Sequence, residues 1–164
     1  MALTKHDPWV FLAAGGVALG LILWRKQDEP APSATASPAP SPAMRLLGEA
    51  IARAEGFFVS GSIPDRANNP GNLKIGTVSG LQPLSNGISV FPSRDAGWAA
   101  LYRQLGLIAT SKSKVYTSGP LTTIREMGNK WAPGGIENVA GQWASSVAKI
   151  LGVSVDTPLS RWLA

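Results

Sequence analysis

The stretch AMRLLGEAIARAEGF, residues 43–57, decides how the folded part of this chain is read. Leu46, Leu47, Ala50, Ile51 and Ala54 recur at helical spacing, so an amphipathic helix is expected over Ala43 to Phe57. Its last turn carries Glu55, followed by Gly56, Phe57 and Phe58. A carboxyl in that place lies among unpaired carbonyls, at the negative end of the helix dipole. Apolar neighbours disfavour its charge further, and both effects raise its pKa. Helix stability would favour Lys or Arg there, so a glutamate is a candidate general acid. The plainer alternative is an exposed glutamate at a helix end.

Downstream comes Asn68-Asn69-Pro70-Gly71-Asn72-Leu73. Each asparagine offers a donor and an acceptor in one amide, and Pro70-Gly71 sets a turn between them. Turn chemistry alone accounts for Asn-Pro-Gly. Three amides so close behind a candidate acid also suit the hydroxyl and acetamido groups of a sugar chain, which makes Asn68, Asn69 and Asn72 candidate substrate ligands. Leu73–Val78 and Ile88–Phe91 are β-rich and separated by Asn86-Gly87, so a small hairpin is expected. Ser93 is placed to cap a helix over 94–110, with Trp98, Leu101, Tyr102, Leu105 and Ile108 as its buried stripe. A third helix is expected over 120–130. A fourth opens at Asn138, buries Val139, Trp143, Val147, Ile150 and Leu151, and ends at Gly152; Thr157-Pro158 starts a last turn carrying Trp162. The fold class expected is α+β, mainly helical, with one small β-hairpin region.

Upstream the composition changes twice. Residues 9–24, WVFLAAGGVALGLILW, carry no charge. As a helix they span about 24 Å at ~1.5 Å per residue, a little short of a ~30 Å hydrocarbon core. Trp9 and Trp24 bracket the run, with Lys5, Arg25 and Lys26 at its ends, which suits a transmembrane anchor in a lipid bilayer. A cleaved signal peptide is the competing reading, but the small residues Ala34-Thr35-Ala36 lie far beyond the apolar run. Pro, Ala and Ser then dominate the linker, 25–43, which reads as a semi-extended spacer. The organisation expected is a tail at 1–8, an anchor at 9–24, the linker, and one domain at 44–164.

Charge and composition narrow the chemistry. The chain carries a formal charge of +5, and the excess lies in residues 44–164, with twelve basic against seven acidic side chains. Such a domain suits an anionic polymer, either nucleic acid or bacterial cell-wall material. The basic residues are scattered rather than clustered, so nucleic acid is the less favoured partner. There is no cysteine, and the single histidine, His6, precedes the apolar run. Thiolate metal sites, His-based metal sites and Ser-His-Asp triads therefore lack parts, and no metal or cofactor is expected. Asp65, Glu126 and Glu137 are possible second carboxyls. Phe57, Phe58, Tyr116 and Trp131 offer apolar faces to sugar rings. Trp131 precedes Ala132-Pro133-Gly134-Gly135 and suits a groove wall, whereas Trp98 and Trp143 suit the core.

The succession IARAEGFF, RANNPGNLK, FPSRDAGWAALYRQL, LTTIREMGNKWAP and ENVAGQWASSVAKILGVSVDTPL resembles lysozyme-like peptidoglycan-cleaving domains, closest to phage virion and lytic-transglycosylase-like members. The likeness covers nearly all of 44–164 and none of the anchor or linker. It implies a lysozyme-like fold, Glu55 as the catalytic glutamate, and the NNPGNL loop with Tyr116 and Trp131 along a glycan groove. It implies peptidoglycan strands as partner, and a single-pass membrane protein whose domain faces the periplasm and cell wall, in a bacterial envelope or a phage virion. Gly56 follows Glu55 where better-known transglycosylases carry serine, and Asn-Pro-Gly-Asn-Leu stands where they carry a Gly-Leu-Met-Gln-like segment.

Overall fold

The computed structural model describes residues 39–132 and 139–164. The expected anchor at 9–24, most of the linker, Glu137 as a possible second carboxyl and Asn138 as a helix start lie outside the described residues. Among the described residues no helix is long and apolar enough to cross a membrane.

The domain is mainly helical. Its elements are α1 (Pro42–Ala54), α2 (Ile63–Arg66), α3 (Arg94–Ala109), a 3-10 turn (Gly119–Leu121), α4 (Ile124–Trp131), α5 (Val139–Leu151) and α6 (Ser160–Leu163). Local chemistry starts several of these helices. Ser41, Ser62, Ser93 and Thr123 each accept a backbone N–H from the first turn that follows, and such a cap contributes about 1 kcal/mol. At α4 the cap is reciprocal, because the Glu126 side chain returns to the Thr123 N–H at 2.8 Å. This closed box explains why the expected helix over 120–130 divides. Gly119-Pro120-Leu121 forms its own tight turn, and α4 begins only after Thr123.

One core joins the helices. Leu47, Ala50 and Ile51 of α1 meet Leu101, Leu105 and Ile108 of α3, Ile124 and Met127 of α4, Trp143 and Val147 of α5, and Trp162 of α6. Full burial of a Leu, Ile or Met side chain stabilises by about 1.5–3 kcal/mol, so this cluster dominates over the caps. α1 packs against α3, α5 and α6. The expected stripe of α3 is only partly buried: Leu101, Leu105 and Ile108 are in the core, and Trp98 and Tyr102 are half-buried and stacked on each other. Ile150, expected to face inward, is exposed near the end of α5.

The hairpin expectation is corrected. Among the described residues the structure has only two isolated bridges, Val78–Leu81 and Thr123–Pro158. The segments around Leu73 and Ser89 do meet, with the Ser89 N–H on the Leu73 carbonyl at 2.9 Å. Side chains then replace the next rungs. Ser89 Oγ accepts the Ile75 N–H at 2.9 Å, and the Asn69 amide donates to the Ser89 carbonyl at 2.9 Å. Backbone groups satisfied by side chains have no need of a ladder.

Candidate active site

α1 stops at Ala54 and leaves Glu55 as its C-cap. Gly56 follows with φ of 78°, a left-handed conformation that favours glycine. Its N–H bonds the Arg53 carbonyl at 3.1 Å, and the Phe57 N–H bonds the Ala52 carbonyl at 2.9 Å. That paired closure is a Schellman motif, which ties off the helix end and turns the chain sharply. Phe57 is thereby driven into the interior, 1% exposed, while Phe58 is left on the surface under the Arg53 guanidinium. Neither phenylalanine lines the cleft beside Glu55, so their expected role as sugar-ring faces is not met.

The cleft has a volume of about 540 Å³, with Glu55 in its wall. Glu55 Oε1 accepts the Trp143 indole N–H at 2.7 Å. Trp143 stacks on Trp131, with centroids 6.0 Å apart, and Trp131 in turn lies 6.4 Å from Tyr116. The Trp131 N–H goes to the Gly71 carbonyl at 3.0 Å, which fastens the end of α4 to the asparagine loop. Burial pushes the Glu55 carboxyl above its ordinary pKa, and the Trp143 N–H and the nearby Asn72 amide only partly oppose that. The result is an acid biased toward its neutral form at the wall of an aromatic-lined trough.

The asparagines divide. Asn72 lines the cleft, with φ of 49° and its amide oxygen buried without a partner among the described residues. Asn69 is 0% exposed and cannot meet a ligand. Its Nδ2 donates to the Leu73 and Ser89 carbonyls, and its Oδ1 accepts the Leu73 N–H at 2.8 Å. Asn68 is also a brace rather than a cleft ligand: its Nδ2 donates to the Phe91 carbonyl at 3.1 Å. The loop sits so close to α3 that a Cβ on Gly97 would collide with the Asn68 carbonyl oxygen. Neither Asn68 nor Asn69 meets the expectation of a substrate ligand, for one reason. Backbone groups of the loop and of the facing segment 89–91 need partners inside the fold, and the asparagine amides supply them.

Tyr116 and Trp131 line the cleft, as expected of a groove wall. Burial also raises the Tyr116 phenol. The sequence reading missed Trp143 as a site residue. Its helical spacing placed it in the core, where it is, but spacing does not reveal where an indole N–H ends. Lys74, Gln104 and Lys130 were missed as well, and each lines the cleft. Of the possible second carboxyls, Asp65 is engaged by the Arg94 guanidinium and the Gly61 N–H, and Glu126 by its capping box. Among the described residues lining the cleft, Glu55 is the only carboxyl.

No protein-family model matches this chain, and comparison with curated proteins and with solved structures gives no match.

Proposed function

We propose that the domain is a lysozyme-like enzyme that cuts the β-1,4 bond between N-acetylmuramic acid and N-acetylglucosamine in peptidoglycan. The observation that carries this reading is Glu55, held at a helix end in an aromatic-walled cleft by the Trp143 N–H and biased toward the neutral form by burial. A neutral carboxyl can protonate the bridging oxygen as positive charge develops at the sugar carbon. Trp131 and Tyr116 offer flat apolar surface to sugar rings, and the Asn72 amide offers hydrogen bonds.

The reaction expected is that of a lytic transglycosylase. Glu55 gives its proton to the leaving oxygen, and its carboxylate then takes the proton of the muramyl 6-hydroxyl as that oxygen bonds to the anomeric carbon. The product is a 1,6-anhydro sugar. Hydrolysis would use a second carboxylate to activate water, and the described cleft walls offer none besides Glu55. Residues 9–24 would tether the enzyme to a membrane, with the domain on the wall side.

The test is mass spectrometry of purified sacculi digested by the full chain and by its Glu55→Gln variant. Anhydro ends from the wild type, with a rate loss on the order of 10²–10⁴ in the variant, are expected. Reducing ends alone would replace the transglycosylase by a muramidase. Absence of any cleavage would leave a wall-binding protein.

A further inference from the structure

The charges on the cleft walls are unequal. Besides Glu55 the charged residues lining it are Lys74 and Lys130, both exposed. The carboxylates elsewhere that form ion pairs do so with arginines: Glu49 with Arg53, Asp65 with Arg94, and Asp156 with Arg125. Neither cleft lysine takes part in an ion pair among the described residues. Lys130 is nevertheless held in place, since its Nζ donates to the Val115 carbonyl at 2.6 Å and lies 5.7 Å from the centre of the Tyr116 ring. The aliphatic chain of Lys74 runs beside the turn at Gly87. Glu55 apart, the charged groups of the trough are these two ammoniums.

We infer that Lys74 and Lys130 form a carboxylate-recognising pair that makes the cleft select glycan strands bearing acidic groups over neutral polymers of the same sugars. This rests on the peptidoglycan reading and sharpens its substrate class. Stacking and hydroxyl contacts serve any acetamido-sugar chain, and they give no discrimination between a wall strand and a neutral one. An ammonium near the glycan path adds attraction only where the strand carries charge. Two wall groups share the needed chemistry: the lactyl carboxylate exposed when stem peptides are removed, and the carboxylates of the stems themselves.

The experiment is co-sedimentation of the full chain with purified wall, a binding measurement that does not depend on turnover. At low salt the Lys74→Gln, Lys130→Gln double variant should bind about three- to ten-fold more weakly than the wild type, in keeping with exposed charge pairs. The gap should close as added salt shortens the screening length. It should also vanish on wall whose carboxylates have been amidated. On wall stripped of stems, a persisting gap assigns the lactyl carboxylate and a lost gap assigns the stems. Because Lys130 also braces Val115, the Lys74→Gln single variant provides a second reading from an exposed position. Equal binding by wild type and both variants at low salt overturns the inference, and so does a gap that persists on amidated wall. Either result leaves the role of Glu55 untouched, since that is read from cleavage products.

Discussion

Asn69→Ala separates a structural asparagine from a sugar-binding one. The amide serves three backbone groups: the Leu73 N–H, the Leu73 carbonyl and the Ser89 carbonyl. The Leu73 carbonyl keeps a partner in the variant, because it also receives the Ser89 N–H. The Leu73 N–H and the Ser89 carbonyl lose their hydrogen-bond partner in a site that is fully buried. At roughly 1–3 kcal/mol for each orphaned group, with some relaxation of the loop, the loss should be about 2–5 kcal/mol. Asn69→Asp should cost at least as much, since it aims a carboxylate at two carbonyl oxygens. Urea unfolding of the full chain in detergent, followed by tryptophan fluorescence, measures both. A loss below about 1 kcal/mol, together with a raised KM on wall fragments, would refute the reasoning and return Asn69 to the glycan site.

Two further outcomes concern the acid. Glu55 binds its proton more tightly folded than unfolded, so the wild type loses stability as pH rises from the ordinary carboxylate value through the raised one. Glu55→Gln escapes that loss, and its stability advantage should be larger at pH 8 than at pH 4, by about 1.4 kcal/mol for each tenfold change in proton affinity; a pH-independent difference would contradict burial as the cause. Trp143→Phe removes the N–H that favours the carboxylate, so the alkaline limb of kcat/KM should move to higher pH, and an unmoved limb would mean that the bond does not persist in the working enzyme.

What was legible in the sequence was largely local. Ser93 caps α3, Gly152 ends α5, and the stripe through Trp143 and Val147 faces the core, each a matter of residue spacing within one helix. Glu55 was legible for the same reason, as a carboxyl at a helix end. The capping box of Thr123 and Glu126 is also written locally, yet the helix expected from 120 starts four residues later, at Ile124. What escaped were pairings between distant segments. Nothing in NNPGNL reveals that the Asn69 amide will meet Ser89, twenty positions on, and so replace a hairpin rung. Nor does the α5 pattern reveal that the Trp143 N–H ends on a carboxyl 88 positions earlier. Those contacts depend on how the helices are assembled, and periodicity reports only which face is buried.

The same assembly explains how a carboxyl persists where its charge is disfavoured. The residues flanking it in the chain are fixed for reasons of their own. Ala54 closes the helix, Gly56 takes the left-handed turn, and Phe57 enters the interior, a burial that contributes about 1.5–3 kcal/mol. Shifting the Glu55 backbone would require undoing that turn, because the Gly56 and Phe57 N–H groups are tied to the Arg53 and Ala52 carbonyls. The side chain is held a second time by Trp143, whose ring is itself stacked against Trp131 and packed in the core. Relief for the carboxyl therefore comes more readily from keeping its proton than from changing place. In the reaction proposed, a group so held gives up a proton and recovers it within one cycle.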